Sequence, residues 1–174
     1  ITEARWIPTE DSFLHPPDAV ESEKVWNDNC IRCHSVGQRP NYAPGSTWDT
    51  QVTEIGISCA ACHGPGQAHV DAYRNPMARL AARTEGYESQ TIVNPERLDH
   101  RRASEVCGQC HAYIETKAGF FTQGIGQQFV AGNRLRDHYD LEEHDGRPSN
   151  QFWPNGSVRT GGREYNSMIL SGCY

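Results

Sequence analysis

The sequence predicts a mainly irregular chain with short α-helices and little β-structure, its interior filled largely by something other than its own side chains. Three observations lead there. Cys-x-x-Cys-His occurs three times, as Cys30-Ile-Arg-Cys33-His34, Cys59-Ala-Ala-Cys62-His63 and Cys107-Gly-Gln-Cys110-His111. Five Phe and four Trp in 174 residues make a thin aromatic core, and hydrophobic residues are only 36%. Glycine and proline occupy 16 and 10 positions, and they leave few long uninterrupted stretches.

The spacing of the motif has a chemical reason. Two thiols three positions apart can each add across a vinyl group on one porphyrin edge, and the adjacent His is then held beneath the iron. Three matches consume six of the seven cysteines. A structural zinc site pairs two Cys-x-x-Cys knuckles, so an odd number of pairs, each followed by His, fits zinc poorly. A thioredoxin-type redox pair needs a βαβ pattern that the chain lacks. Three covalent haems c are therefore the expected cofactors, attached at Cys30/Cys33, Cys59/Cys62 and Cys107/Cys110, with His34, His63 and His111 as proximal ligands. A porphyrin is larger than an indole, and a large aromatic side chain already buries ~150–250 Å². Three porphyrins would supply much of the interior that side chains do not.

Length fits one domain over residues 1–174. Residues 1–17 read as an N-terminal arm, apolar at Trp6, Ile7, Phe13 and Leu14 and held extended by His15-Pro16-Pro17. Asp18 caps an expected helix from Ala19 to about Arg32, with Val20, Val25 and Trp26 inward and the first motif in its last turn. Residues 37–47 are loop, and a second helix is expected from Thr47 to Ile55. The second motif is broken at Gly64-Pro65-Gly66, after which His69 to about Glu85 reads as helix interrupted near Asn75-Pro76. Asn94-Pro95 opens another connection, and Arg101–Tyr113 is a short helix carrying the third motif. From Gly119 onward only short pieces are expected, wrapped around the cofactors. The motif starts are 29 and 48 residues apart, so they do not form a periodic array.

Five histidines remain beyond the proximal ones: His15, His69, His100, His138 and His144, with Met77 and Met168 the only methionines. This supply predicts mainly bis-His irons, which lie at lower potential than His/Met irons. His69, just past the Gly-Pro-Gly break, is the first expected distal ligand, and His100, His138 and His15 compete for the rest. Each is equally readable as a solvated surface side chain. His138 and His144 lie in an acidic stretch that suits a solvated ring or one donating to a carboxylate. Cys173 is left over, and reads as a pairing or reactive thiol or as a small buried residue beside a haem.

The net charge is −6 with His neutral, and haem propionates would add to it. That balance argues against nucleic acid and anionic lipid as partners. No run approaches the ~20 apolar residues of a membrane helix. With no initiator Met and no basic-then-apolar leader, the sequence reads as a mature, processed product. Haem is usually attached to this motif outside the cytoplasmic membrane, so a periplasmic or extracellular location is expected.

Several segments together resemble a known family. They are Trp6-Ile-Pro…Asp11-Ser-Phe-Leu14, Trp26-Asn-x-Asn-Cys-Ile31, Ile57-Ser-Cys-Ala-Ala-Cys-His-Gly-Pro-Gly-x-Ala-His69, Val106-Cys-Gly-Gln-Cys-His111, Phe152-Trp-Pro-Asn-Gly156 and Gly162-Arg-Glu-Tyr-Asn166…Ser171-x-Cys-Tyr174. This set resembles bacterial secreted multihaem cytochromes c, often joined to tetratricopeptide repeats. The resemblance implies electron transfer, covalent haem c and an extracytoplasmic home. In that family a further Cys-x-x-Cys-His usually follows Ser-x-Cys-Tyr, whereas this sequence ends at Tyr174. It is either a shortened three-haem relative or part of something longer. Members also often carry a His just before Trp-Asn, where this chain has Glu23-Lys24-Val25, which sends the first haem elsewhere for its distal ligand.

The expected function is electron carriage through closely packed haems, not enzymatic turnover, with redox proteins or extracellular electron acceptors as partners. A homopolymer joined through the arm and His15 is a permitted variant, forming an extracellular filament. The alternative is a multihaem oxidoreductase with one open catalytic haem, converting nitrogen compounds. That chemistry needs an open distal position, and the Cys-x-x-Cys-Lys typical of ammonia-forming nitrite reductases is absent. A structural or sensor module has no specific feature in its favour.

Overall fold

Asn75-Pro76, Asn94-Pro95 and Asp99 start three of the helical segments. In a computed structural model that describes residues 25–43, 45, 47–84, 88–117 and 129–174, the chain forms seven short helices and two small sheets among the described residues. The arm of residues 1–17, His15, Val20 and the start of the first expected helix lie outside these residues.

The first motif sits on a single turn, α1 (Ile31–His34), followed by β1 (Ser35–Val36). Residues 25–30 form turns, with Asn29 N–H donating to Val25 O at 3.0 Å and Ile31 N–H to Trp26 O at 2.9 Å. The expected helix through Arg32 is thus corrected to one turn in its described part. Asn27 and Asn29 are poor helix formers, and the Asn27 amide is drawn off to Thr50 Oγ1 at 2.7 Å. Val25 and Trp26, expected inward, are exposed.

The helix expected over Thr47–Ile55 is also overturned. β2 (Glu54–Ile55) pairs antiparallel with β1, Ser35 opposite Ile55 and Val36 opposite Glu54. Isolated bridges extend the ladder at Arg39–Gln51 and Tyr42–Trp48, so residues 35–55 form an irregular hairpin. Trp48, Val52, Thr53 and Ile55 favour a pleated backbone, and Trp48 packs on Tyr42 with ring centroids 4.6 Å apart. Gly37 is required here: its φ is +63°, and a Cβ would strike the Thr53 side chain.

The second motif occupies α2 (Cys59–His63), which Gly64 ends, and α3 (Gln67–Tyr73) starts after the Gly-Pro-Gly break. The expected interruption at Asn75-Pro76 separates α3 from α4 (Pro76–Ala81). Asn75 Oδ1 accepts from Met77 N–H at 2.9 Å, and Asn94 repeats the device on Glu96 N–H at 3.1 Å before a 3₁₀ turn at Pro95–Arg97. Such caps contribute about 0.5–2 kcal/mol each.

The longest helix, α5 (His100–His111), carries the third motif at its C-terminal end and is capped by Asp99. It continues into β3 (Ile114–Thr116), paired antiparallel with β4 (Tyr139–Leu141), and is flanked by α6 (Leu135–His138) and α7 (Glu164–Met168). Ala112, Ile114, Phe129, Leu135, Tyr139 and Tyr165 form a buried apolar cluster, with Leu141 and Ile169 packed against it. Burying one such side chain contributes roughly 1.5–3 kcal/mol. The polypeptide thus supplies a small core of its own. Buried Asn166 ties α7 to it, accepting from Tyr113 N–H at 2.7 Å and donating to Glu142 O at 2.8 Å. The architecture is mostly irregular, with short helices and little sheet. Among the described residues no helix is long and apolar enough to cross a membrane.

Candidate haem-binding site

Each motif has its cysteines and histidine at the ends of one helical turn and its two variable residues between them. A turn of 3.6 residues sets the variable pair apart from the thiols. The structure turns the variable residues inward: Ile31, Gly108 and Gln109 are buried. Arg32, Ala60, Ala61 and Gln109, drawn from all three motifs, line one small cavity of about 40 Å³ with Gln38 and Phe129. Gln109 Nε2 donates to Ala61 O at 2.8 Å, and Arg32 Nη1 reaches Ile114 O at 3.1 Å. The third motif is thus braced against the second through residues that the pattern leaves free, and the first against the strand after the third.

The thiols differ in exposure. Cys59, Cys62 and Cys107 are exposed, and Cys30, Cys33 and Cys110 are half-buried. Cys33 and Cys110 meet, with Cys33 Sγ 3.7 Å from Cys110 O. Hydrogen bonding to Cys110 holds the Cys33 thiol below its usual range, aided by the Arg32 and Arg163 charges. The same contact and burial push the Cys110 thiol up. Arg163 Nη1 clamps this corner by donating to Cys110 O at 2.7 Å and Ala112 O at 3.2 Å.

The histidines differ in support. His63 Nδ1 lies 2.8 Å from Val93 O, and a carbonyl only accepts, so Nδ1 carries a proton and donates it there. Val93 N–H returns a bond to His63 O at 3.2 Å. His111 Nδ1 faces Glu164 Oε2 at 3.4 Å, and backbone hydrogen bonds, with His111 beside it, hold the Glu164 carboxyl below the usual range. His34 is exposed. A backbone carbonyl or carboxylate on the second ring nitrogen is the usual support of a metal-binding His.

Of the distal candidates, His69 is half-buried on α3, its Nδ1 3.3 Å from Thr91 Oγ1. His100 is exposed at the start of α5, edge-on to Tyr174 at 5.7 Å. His138 Nε2 faces the Asn133 amide nitrogen at 3.3 Å, and its ring stands edge-on to Phe129. His144 stacks on Phe152, with its buried Nδ1 lacking a hydrogen-bond partner. His15 lies outside the described residues. Cys173 is exposed.

No group of three or more His, Cys, Asp or Glu among the described residues converges on a metal-sized point. The motifs are therefore three donor sets, each a thiol pair with a His beside it, the second exposed and the first and third meeting at Cys33 and Cys110. These fit a group bonded through two carbons and one axial nitrogen. Ile55 and Ile57, just before the second motif, are 74% and 68% exposed and offer the apolar surface a porphyrin face requires. Sequence reasoning missed Gln109, Val93, Thr91, Arg163 and Glu164. Only Gln109 carried a local signal, its place inside a motif.

Residues 11–64 match the profile of a family described as cytochrome c554 and c-prime. No curated protein matches the chain. The fold is similar to that in the crystal structure of the outer cell wall cytochrome OcwA, with a TM-score of 0.55 and 24% sequence identity over 84% of this chain. The match spans 28% of that longer protein. The profile match covers under a third of the chain, and the structural likeness is one of fold.

Proposed function

We propose that residues 1–174 are one trihaem unit that carries electrons, with Cys30/Cys33, Cys59/Cys62 and Cys107/Cys110 as attachment sites and His34, His63 and His111 as proximal ligands. The hub carries this reading. The three motifs meet around one small cavity lined by Arg32, Ala61 and Gln109, and Gln109 bonds the third to the second. Haem c, when bound, supplies reversible one-electron exchange at its iron. The chain's own residues hold and orient it. Val93 and Glu164 fix the ring tautomers of His63 and His111, and Arg163 with Gln109 keeps the third motif seated against the other two.

His69 is the first distal ligand in this reading, with His100, His138 and His15 supplying the others. Redox proteins or extracellular acceptors are the partners. The location is extracytoplasmic, since haem c is attached there, and the solved structure of similar fold is of an outer cell wall cytochrome. A filament joined through residues 1–17 rests on the sequence of the arm alone, and imaging before and after its deletion tests it.

Intact mass under denaturing conditions tests the central statement: the chain should gain three haems, and a gain of two overturns it. Carbon monoxide added to the reduced protein should leave the spectrum unchanged. A carbon monoxide complex would favour an oxidoreductase with an open iron.

A further inference from the structure

Residues 89–93 lie outside every motif, yet two expected iron ligands lean on them. Val93 O takes the Nδ1 proton of His63 at 2.8 Å. Two residues earlier, hydroxyls converge on His69, with Thr91 Oγ1 at 3.3 Å and Ser89 Oγ at 3.5 Å from its Nδ1. The hydroxyls are bonded to each other at 2.9 Å, and Thr91 N–H donates to Ser89 Oγ at 3.3 Å. Tyr73, one turn along α3, covers the His69 ring with centroids 4.3 Å apart. His69, Tyr73, Ser89 and Thr91 are all half-buried, so none of these contacts is a fully solvated one.

A His that offers Nε2 to iron keeps its proton on Nδ1, and that proton needs an acceptor to set tautomer and ring plane. We propose that Thr91, backed by Ser89, is a positioning residue that holds His69 in the tautomer and orientation of an iron ligand, as Val93 does for His63. This rests on the reading of His69 as a distal ligand. A hydroxyl pair differs from a carbonyl in an informative way. It can also donate, so it holds the ring less rigidly than Val93 holds His63. Ser89 has a second task, closing the local turn through Thr91 N–H. Thr91 is therefore the cleaner site to change.

The test uses the full haem-loaded chain as Thr91→Val and Thr91→Ser, with His69→Ala as reference. The readouts are covalent haem count by mass, low-spin electron paramagnetic resonance, and carbon monoxide affinity of the reduced protein. Haem count should be the same in all. Loss of an outer-shell partner typically weakens a metal–ligand bond about 10–100-fold, so Thr91→Val should raise carbon monoxide affinity at one iron by that factor and shift one low-spin signal. Thr91→Ser should restore both. If His69→Ala opens an iron while Thr91→Val behaves as the native protein, the positioning role is wrong although His69 ligates. If His69→Ala leaves every iron low-spin, the ligand reading fails, and the inference with it. A serine variant that behaves like valine would assign the effect to methyl packing, and a reduced haem count in Thr91→Val would make Thr91 a folding residue. Either overturns the proposal.

Discussion

Gln109 Nε2 donates to the carbonyl oxygen of Ala61 at 2.8 Å, joining the variable pair of the third motif to that of the second across 48 residues of chain. The same amide bonds Val106 O at 2.8 Å, and the residue is only 6% exposed. Two motifs are thus tied by a side chain that the Cys-x-x-Cys-His pattern leaves unspecified.

Gln109→Leu keeps volume and removes the donor. A part-buried carbonyl that loses its partner costs about 1–3 kcal/mol, and about 2–4 °C of midpoint per kcal/mol is expected at this size. Thermal unfolding of the haem-loaded protein should therefore fall by several degrees with the haem count intact. An unchanged midpoint would show that the bond contributes nothing.

Gly108→Ala should also destabilise. A Cβ there would stand 3.0 Å from Leu135 Cδ2 and 3.1 Å from two Tyr165 ring carbons. Alanine is favoured over glycine in a helix by about 0.8–1.0 kcal/mol, but overpacking typically costs about 1–3 kcal/mol. Leu135 and Tyr165 are both buried in the core cluster and have little room to yield, so overpacking should win. Denaturant unfolding decides it, and a higher midpoint would mean that α6 or α7 shifts easily.

Asp99 caps α5, accepting from Arg102 N–H at 3.1 Å. That backbone bond, with the Arg102 charge, holds its carboxyl below the usual range. A depressed folded value stabilises the protein above the unfolded carboxylate value, and the contribution is lost as pH falls through the folded value. Asp99→Asn keeps a cap without a titrating group, so its stability should depend less on pH in the acid range than that of the native chain. Parallel pH profiles of the two would remove Asp99 from the acid response.

Cys173 is exposed, whereas the other six cysteines belong to the motifs. Iodoacetamide on the native haem-loaded protein should add one label, mapped to Cys173. Further labels would mean that motif thiols are free and that attachment is incomplete.

The motifs and the turns that carry them were legible in the sequence because they are local. Two thiols and a His within five residues act on one porphyrin edge, and one helical turn is enough to present them. The stops at Gly64 and at Asn75-Pro76 were legible for the same reason, since a cap needs only the next two or three residues. The hairpin over residues 35–55 was missed where alternation was weak, and pairing with residues 35–42 overrode the helical reading of Thr47–Ile55. The hub and the supports of the histidines belong to the tertiary structure alone. Val93 is 30 residues from His63, Thr91 is 22 from His69, and Glu164 is 53 from His111. An acceptor's value to an imidazole depends on distance and direction in space. Only the packing of α2, α3, α5 and α7 against their neighbours brings those atoms within reach.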